Sequence, residues 1–353
     1  MIRIAVIYGG QSTEHSISCI SAGAIMAHLP AEEYEVYPVG ITRDGTWVEG
    51  TFDPVAGEAL PEVSSGRALR VSTSPATRGQ FTDAATGEVT ATVDVIFPVL
   101  HGKYGEDGTI QGLFELSGIP YVGPGVLASA CGMDKEFTKK VVAAEGIPVA
   151  DGILLRSGER TDLTAEERDR LGLPVFVKPC NGGSSIGVSK VDDWAELPAA
   201  IELAFANDTK VLVEGALVGD EVEVGVLEYP DGRIAASVAA KLNGTDDSAE
   251  GFYGFETKYL EDHVTATIPA PYDAAATGLL QRMAVTAFRA LNCKSLARVD
   301  FFVTDRGPVL NEVNTMPGFT PISMYPQVWQ ASGLAYPELL DVLVRTALAR
   351  TAR

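Results

Sequence analysis

The residues whose types and spacing could do chemistry lie between Arg298 and Gly318, in RVDFFVTDRGPVLNEVNTMPG. Two apolar runs, Val299 to Val303 and Pro308 to Leu310, flank the loop Asp305-Arg306-Gly307. Its final glycine suits the left-handed position of a bulged hairpin turn. With Thr304 and Pro308 flanking that loop, Asp300 falls opposite Glu312 and Arg298 opposite Asn314. Alternation along each strand puts Arg298 with Asp300, and Glu312 with Asn314, on one face. Two facing carboxylates repel, and one pKa would rise unless a cation sits between them. Two carboxylates and an amide oxygen are hard ligands of the kind Mg2+ prefers, and that ion commonly takes phosphate oxygens too. The plainer alternative is a solvated hairpin with unrelated charges. The Thr315-Met316-Pro317-Gly318 run after Asn314 weighs against it, since Gly318 would let backbone N–H groups approach a ligand.

A phosphate ligand needs donors, and one other stretch supplies them. Lys178 ends an apolar run and is followed by Pro179-Cys180-Asn181-Gly182-Gly183-Ser184-Ser185-Ile186-Gly187, a loop with many free N–H groups and two hydroxyls. It is not a Walker loop, because the lysine precedes the glycines. A lysine closing a buried strand would be costly without an anion. Two further Gly-containing turns follow predicted strands: Gly9-Gly10-Gln11-Ser12-Thr13-Glu14-His15 after Ile2 to Tyr8, and His101 to Thr109 after Val93 to Leu100. Glu14 reads either as a ligand at a strand's carboxyl end or as a first-turn helix charge, and His101 as a site or a core residue. Gly123-Pro124-Gly125-Val126-Leu127-Ala128 matches G-x-G-x-x-A but lies at the end of the first α/β unit, where a dinucleotide fingerprint does not belong.

The elements that must position these groups are legible in outline. A strand over 2–8, a helix over 16–28 and a strand over 35–41 make a doubly wound α/β start. Residues 50–92 read as loops and short edge strands. A helix over 129–145 is followed by strands over 173–178, 210–214 and 221–226, then helices over 274–291 and 336–350. The stretch 241–263, polar and then aromatic, has the composition of a lid. The chain has 353 residues, 46% apolar and 21% charged, which suits a soluble globular protein of two or three domains. Asp and Glu outnumber Lys and Arg by 47 to 27, a net charge of −20, which argues against nucleic-acid or anionic-membrane partners. Four cysteines without C-x-x-C spacing point to a reduced, cytoplasmic setting, and the apolar start is too short for a signal peptide or membrane span.

Taken in order, GGQSTEHSIS, HGKYGEDGTIQG, GPGVLASACGMDK, VKPCNGGSSIGV, ETKYL, ARVDFF and LNEVNTMPGFTPISMYP make the chain resemble the D-alanine-D-alanine ligases of the ATP-grasp superfamily over nearly its whole length. The resemblance implies three α/β domains, over 1–126, 127–217 and 218–353, with ATP between two antiparallel sheets. It implies that Lys135 and Lys178 hold ATP phosphates under a loop containing Gly183, Ser184 and Ser185, and that Glu214, Leu217 and Glu221 contact adenine and ribose. Asp300, Glu312 and Asn314 would bind two Mg2+ ions, with Mn2+ as a substitute. Glu14 would receive the ammonium of the first D-alanine, with His101 nearby, and would join Ser184 and Tyr259 in closing the lid. Lys258 would reach phosphate and substrate, Arg298 and the Gly318 backbone would stabilise an oxyanion, and Ser323 would bind the second substrate's carboxylate. A lid tyrosine favours an amine over a hydroxy acid as that substrate. A homodimer is implied as well. Two alternatives stay open: a related ligase using D-serine or another second amino acid, and a nucleotide-binding regulator without turnover. Many family members carry Trp near Ala216 and Tyr where Phe255 stands; this chain has neither.

Overall fold

The computed structural model describes residues 1–50, 60–244, 265–320 and 322–351. β1 (Ile2–Gly9) is apolar almost throughout, as a strand covered on both faces must be. Helix α1 (His15–His28) returns the chain to β2 (Tyr34–Ile41), parallel to β1, and β3 (Trp47–Glu49) adds an antiparallel edge. β4 (Leu69–Val71), β5 (Gln80–Asp83) and β6 (Val89–Thr92) form a small antiparallel sheet of their own. β7 (Val95–Val99) then pairs in parallel with β1, giving the order β3-β2-β1-β7. Glu14 and His101 therefore follow adjacent parallel strands and emerge at the same sheet edge.

After α2 (Thr109–Ser117), the predicted helix over 129–145 is in fact two, α3 (Val126–Met133) and α4 (Lys135–Ala144). Asp134 breaks them: its backbone is extended, and its carboxylate caps α4 by accepting from Glu136 N and Phe137 N. A second sheet holds β8 (Gly152–Arg156), β9 (Val175–Pro179), β10 (Ser189–Val191) and β11 (Lys210–Gly215), all antiparallel, in the order β10-β9-β11-β8. Helices α5 (Ala165–Leu171) and α6 (Leu197–Phe205) connect its strands. β9 begins two residues later than predicted because Pro174 has no N–H for a ladder.

The third sheet is the one that carries the hairpin. It contains β12 (Asp220–Glu228), β13 (Ile234–Asn243), β14 (Thr265–Thr267), β15 (Leu296–Thr304) and β16 (Gly307–Asn314), ordered β14-β13-β12-β15-β16 and antiparallel. Alternation decides what each face does: Val222, Val224, Val226, Ala297, Val299 and Phe301 are buried in one core beneath α7 (Ala274–Ala290), which sends their polar neighbours to the other face. The predicted lid from Lys241 starts too early, since Lys241 to Asn243 pair with β14 and Lys241 Nζ lies 2.7 Å from Asp220 Oδ1. Lys258 and Tyr259 lie outside the described residues.

The hairpin register agrees with expectation by a different route. Thr304 pairs with Gly307, so the turn is the two-residue Asp305-Arg306 and not a three-residue loop. A bulge at Asn311 then adds back the missing residue, and Asp300 faces Glu312 while Arg298 faces Asn314. The bulge is needed because Leu310 and Val313, three apart, are both buried in the same core.

Helices α8 (Met324–Ala331) and α9 (Tyr336–Thr351) close the chain against the first sheet. Ile4, Val6 and Phe97 share a core with Phe319, Tyr325, Leu339 and Leu343. That shared core ties the two Gly-containing turns to the segment after β16.

Candidate active site

A cleft of about 620 Å³ opens between the second and third sheets and reaches the turns of the first. It is lined by Glu14, His101, Lys135, Lys178, Gly183, Ser184, Ser185, Glu214, Leu217, Glu221, Arg298, Asp300, Glu312, Asn314, Gly318 and Ser323. Every site residue singled out in the sequence that lies among the described residues is thus brought to one place.

Glu14 is buried at the start of α1 and accepts a hydrogen bond from Ser184 Oγ at 2.5 Å. It fits only because two glycines crowd it: a Cβ on Gly102 would come 2.6 Å, and one on Gly183 2.9 Å, from Glu14 Oε2. Ser184 and Ser185 both adopt left-handed backbone (φ +50° and +57°), a strained geometry for residues with a Cβ. His101 is an internal clamp. Its Nδ1 donates to Met316 O at 3.0 Å, and Ser21 Oγ lies 3.3 Å from Nε2. Burial lowers its pKa against the pull of Glu14, so the ring is neutral.

Lys135 begins α4, and its Nζ donates to Gly182 O at 2.9 Å, bracing the Gly-rich loop. Lys178 was expected to need an anion, and the protein supplies one: Lys178 Nζ lies 2.7 Å from Glu214 Oε2, while Lys139 Nζ pairs with Glu214 Oε1. Burial opposes the charge on Glu214, but Lys178 and Lys139 overcome it and hold the carboxyl at about 2. Burial likewise opposes the charge on Lys178, whose pKa nevertheless rises because of Glu214; on Lys139 burial wins over Glu214 and, with Lys178 adding to it, pulls the amine below the usual lysine range. Glu214 is therefore a bridge between two ammonium groups before it is anything else. Lys139 went unnoticed in the sequence, although it stands one helical turn after Lys135 and so shares its face.

On the third sheet, Arg298 makes a two-pronged pair with Asp300 (Nε to Oδ1 and Nη2 to Oδ2, each 2.8 Å) and also meets Glu223 Oε2 at 3.0 Å. Glu223 was overlooked too; its spacing of two from Glu221 on one strand puts both in the cleft. Asn314 Nδ2 donates to Asp300 Oδ2 at 2.8 Å, which leaves its carbonyl oxygen for a cation. Among the described residues no three His, Cys, Asp or Glu side chains converge as a metal cage. Two carboxylates and an amide oxygen beside a loop of N–H donors fit Mg2+ completed by phosphate oxygens. Gly318 packs against Ser323, where a Cβ would come 2.8 Å from Oγ; that hydroxyl also accepts from Thr320 N at 2.9 Å.

Glu106 also enters the cleft, accepting from Gly102 N (2.8 Å) and Met316 N (3.0 Å) and so joining the first sheet's turn to the segment after β16. The residue is only partly buried, but desolvation of its carboxylate, with the charge of Glu14 nearby, pushes its pKa up to about 8. A carboxyl raised on folding contributes stability that is lost as pH climbs from its unfolded value, about 4.3, through about 8. Glu106→Gln lacks that loss, so its melting temperature should gain on the unaltered protein's between pH 5 and 8; parallel curves would contradict this.

The profile described as D-ala D-ala ligase N-terminus matches residues 3–124, and that described as D-ala D-ala ligase C-terminus matches residues 141–345. The chain belongs to the D-alanine-D-alanine ligase family. Relatives named D-alanine--D-alanine ligase from Corynebacterium diphtheriae and Corynebacterium glutamicum strain ATCC 13032 are 61% and 62% identical, covering 98% and 99% of this chain and 95% and 97% of their own. Among solved structures, the VanG D-Ala:D-Ser ligase from Enterococcus faecalis aligns with TM-score 0.85 at 37% identity, covering 98% of this chain and 99% of that one. The D-alanine-D-alanine ligase from Coxiella burnetii aligns with TM-score 0.85 at 35% identity (99% and 95%). The ligase from Bacillus anthracis complexed with ATP aligns with TM-score 0.74 at 29% identity (100% and 99%). The ATP-grasp architecture of the family accounts for a cleft between two antiparallel sheets. Among the described residues no helix is long and apolar enough to cross a membrane.

Proposed function

We propose that this chain joins two D-alanines into D-alanyl-D-alanine, converting ATP to ADP and phosphate, in the synthesis of peptidoglycan precursors. The observation that carries this is 61% identity, over nearly the whole chain, to a D-alanine--D-alanine ligase. In this reading Glu14 receives the ammonium of the first D-alanine, and the buried, neutral His101 backs the same turn. The substrate's carboxylate oxygen attacks the γ-phosphorus, the bond to ADP breaks, and an acyl phosphate forms. Lys135, Lys178 and the loop through Gly183, Ser184 and Ser185 hold the phosphates, while Glu214, Leu217 and Glu221 hold adenine and ribose. Asp300, Glu312 and Asn314 would hold two Mg2+, or Mn2+, which offset the charge gathered on the phosphates.

The neutral amine of the second D-alanine then attacks the acyl carbon, phosphate leaves with the bonding electrons, and the nitrogen loses a proton. Arg298 and the Gly318 backbone stabilise the intermediate oxyanion, Ser323 binds the second carboxylate, and Lys258 reaches phosphate and substrate. Tyr259, with Ser184 and Glu14, closes the site against water, which would otherwise hydrolyse the acyl phosphate. A homodimer in the cytoplasm completes the proposal, and sedimentation tests the dimer. Incubation with ATP, Mg2+ and D-alanine, alone and with D-serine or D-lactate, tests the rest. D-alanyl-D-alanine should dominate the product. The likeness to a D-Ala:D-Ser ligase makes the mixed dipeptide the informative rival outcome, and phosphate release without any dipeptide would overturn the reading.

A further inference from the structure

We propose that Glu223 is a positioning residue that keeps Arg298 in place when Asp300 is given over to a divalent cation. The inference rests on the reading of Asp300 as a metal ligand and Arg298 as the cation at the reacting centre. Both oxygens of Asp300 are engaged: Oδ1 takes Arg298 Nε, and Oδ2 takes Arg298 Nη2 and Asn314 Nδ2. An ion that binds Asp300 must weaken that two-pronged pair. A guanidinium released into the cleft would lose the orientation its planar fork provides.

Glu223 supplies the alternative anchor. It sits opposite Asp300 across the β12–β15 ladder, its side chain is 6% exposed, and its Oε2 meets the same Nε of Arg298 at 3.0 Å. A carboxylate buried that far is stable only with a charged partner, and Arg298 is one within reach. Glu223 is thus turned toward the arginine, and the guanidinium can shift its weight from one carboxylate to the other without leaving the sheet face.

The test compares Glu223→Gln, which removes the charge but keeps a polar oxygen within reach of Arg298, with Glu223→Leu, which keeps neither. Mn2+ affinity is read by electron paramagnetic resonance in the presence of ADP, and turnover is measured alongside. Glu223→Leu leaves Arg298 locked on Asp300, so the Mn2+ Kd should rise at least about tenfold, the scale of one buried charged contact. Glu223→Gln should raise it about threefold, and kcat should fall in the same order with little change in KM for ATP. Equal weakening by the two variants marks a through-space charge effect and overturns the role, as does no weakening in either. Should Glu223→Leu fail to fold, Glu223→Met takes its place as the variant without a polar oxygen, and the same comparison with Glu223→Gln decides. Asp300→Asn separates the two levels: if it leaves Mn2+ binding unchanged, the metal reading itself fails. If it weakens binding while both Glu223 variants bind as the unaltered protein does, only the positioning role fails.

Discussion

Glu312→Gln should cut ATP-dependent phosphate release by about 10³-fold while leaving the circular dichroism spectrum and melting temperature nearly unchanged. The substitution keeps the side-chain volume and removes one charge. Glu312 faces Asp300 across the β15–β16 ladder and, among the described residues, belongs to no hydrophobic core. Its loss removes repulsion from Asp300 but also attraction to Lys178 and Arg298, and these oppose each other, so stability should change little. What it removes is one of the two facing carboxylates that would draw a divalent cation, and a neutral amide binds such an ion far less well. Raising Mg2+ to tens of millimolar should recover part of the turnover if the defect is affinity. Turnover within twofold of the unaltered enzyme at low Mg2+ would remove Glu312 from the metal site.

Glu214→Ala should destabilise the protein by about 3–5 kcal/mol, the usual cost of stranding a buried charge. Here two are stranded, since Lys178 and Lys139 both pair with that carboxylate in the floor of the cleft. The pH dependence has a definite sign. A carboxyl held at about 2, below its unfolded value near 4.3, contributes stability that is present above that unfolded value and lost as pH falls toward 2. The deficit of Glu214→Ala should therefore be full at neutral pH and shrink below about pH 4.3, as followed by urea melts. A deficit that stays constant down to pH 2.5 would mean that lost packing, not lost charge, explains it. ATP should partly restore the variant, because its phosphates offer the stranded lysines new partners.

The carboxylate pair shows how local chemistry and tertiary packing divide the work. Facing positions for Asp300 and Glu312 follow from the chain's own pattern, yet the turn that sets them is shorter than its glycine suggests. The compensating bulge at Asn311 arises because Leu310 and Val313 must both reach the core under α7. A spacing of three between apolar residues in a strand is a visible sign of such a bulge. Asp134 offers a second case: its carboxylate caps α4, and an Asp inside a continuous helical pattern is a weak signal unless its side chain is known to find free N–H groups. Glu214 was legible as a strand-end acid, but not as the partner of two lysines, because β9, β11 and α4 meet only in three dimensions.

By itself the sequence determined some of the strands and helices, such as those over 2–8, 35–41 and 210–214, because apolar periodicity is a local property, and which residues carry charge, hydroxyls or free N–H groups. Motif order, from Glu14 through Lys178 to Asn314, was enough to name the family. Only the tertiary structure decided how those charges neutralise one another: Lys139 and Lys178 on Glu214, Arg298 shared by Asp300 and Glu223, and Glu106 held beneath two backbone N–H groups. The reason is physical. Desolvation and Coulomb energy depend on distances between elements far apart in the chain, and those distances are set by how the sheets pack.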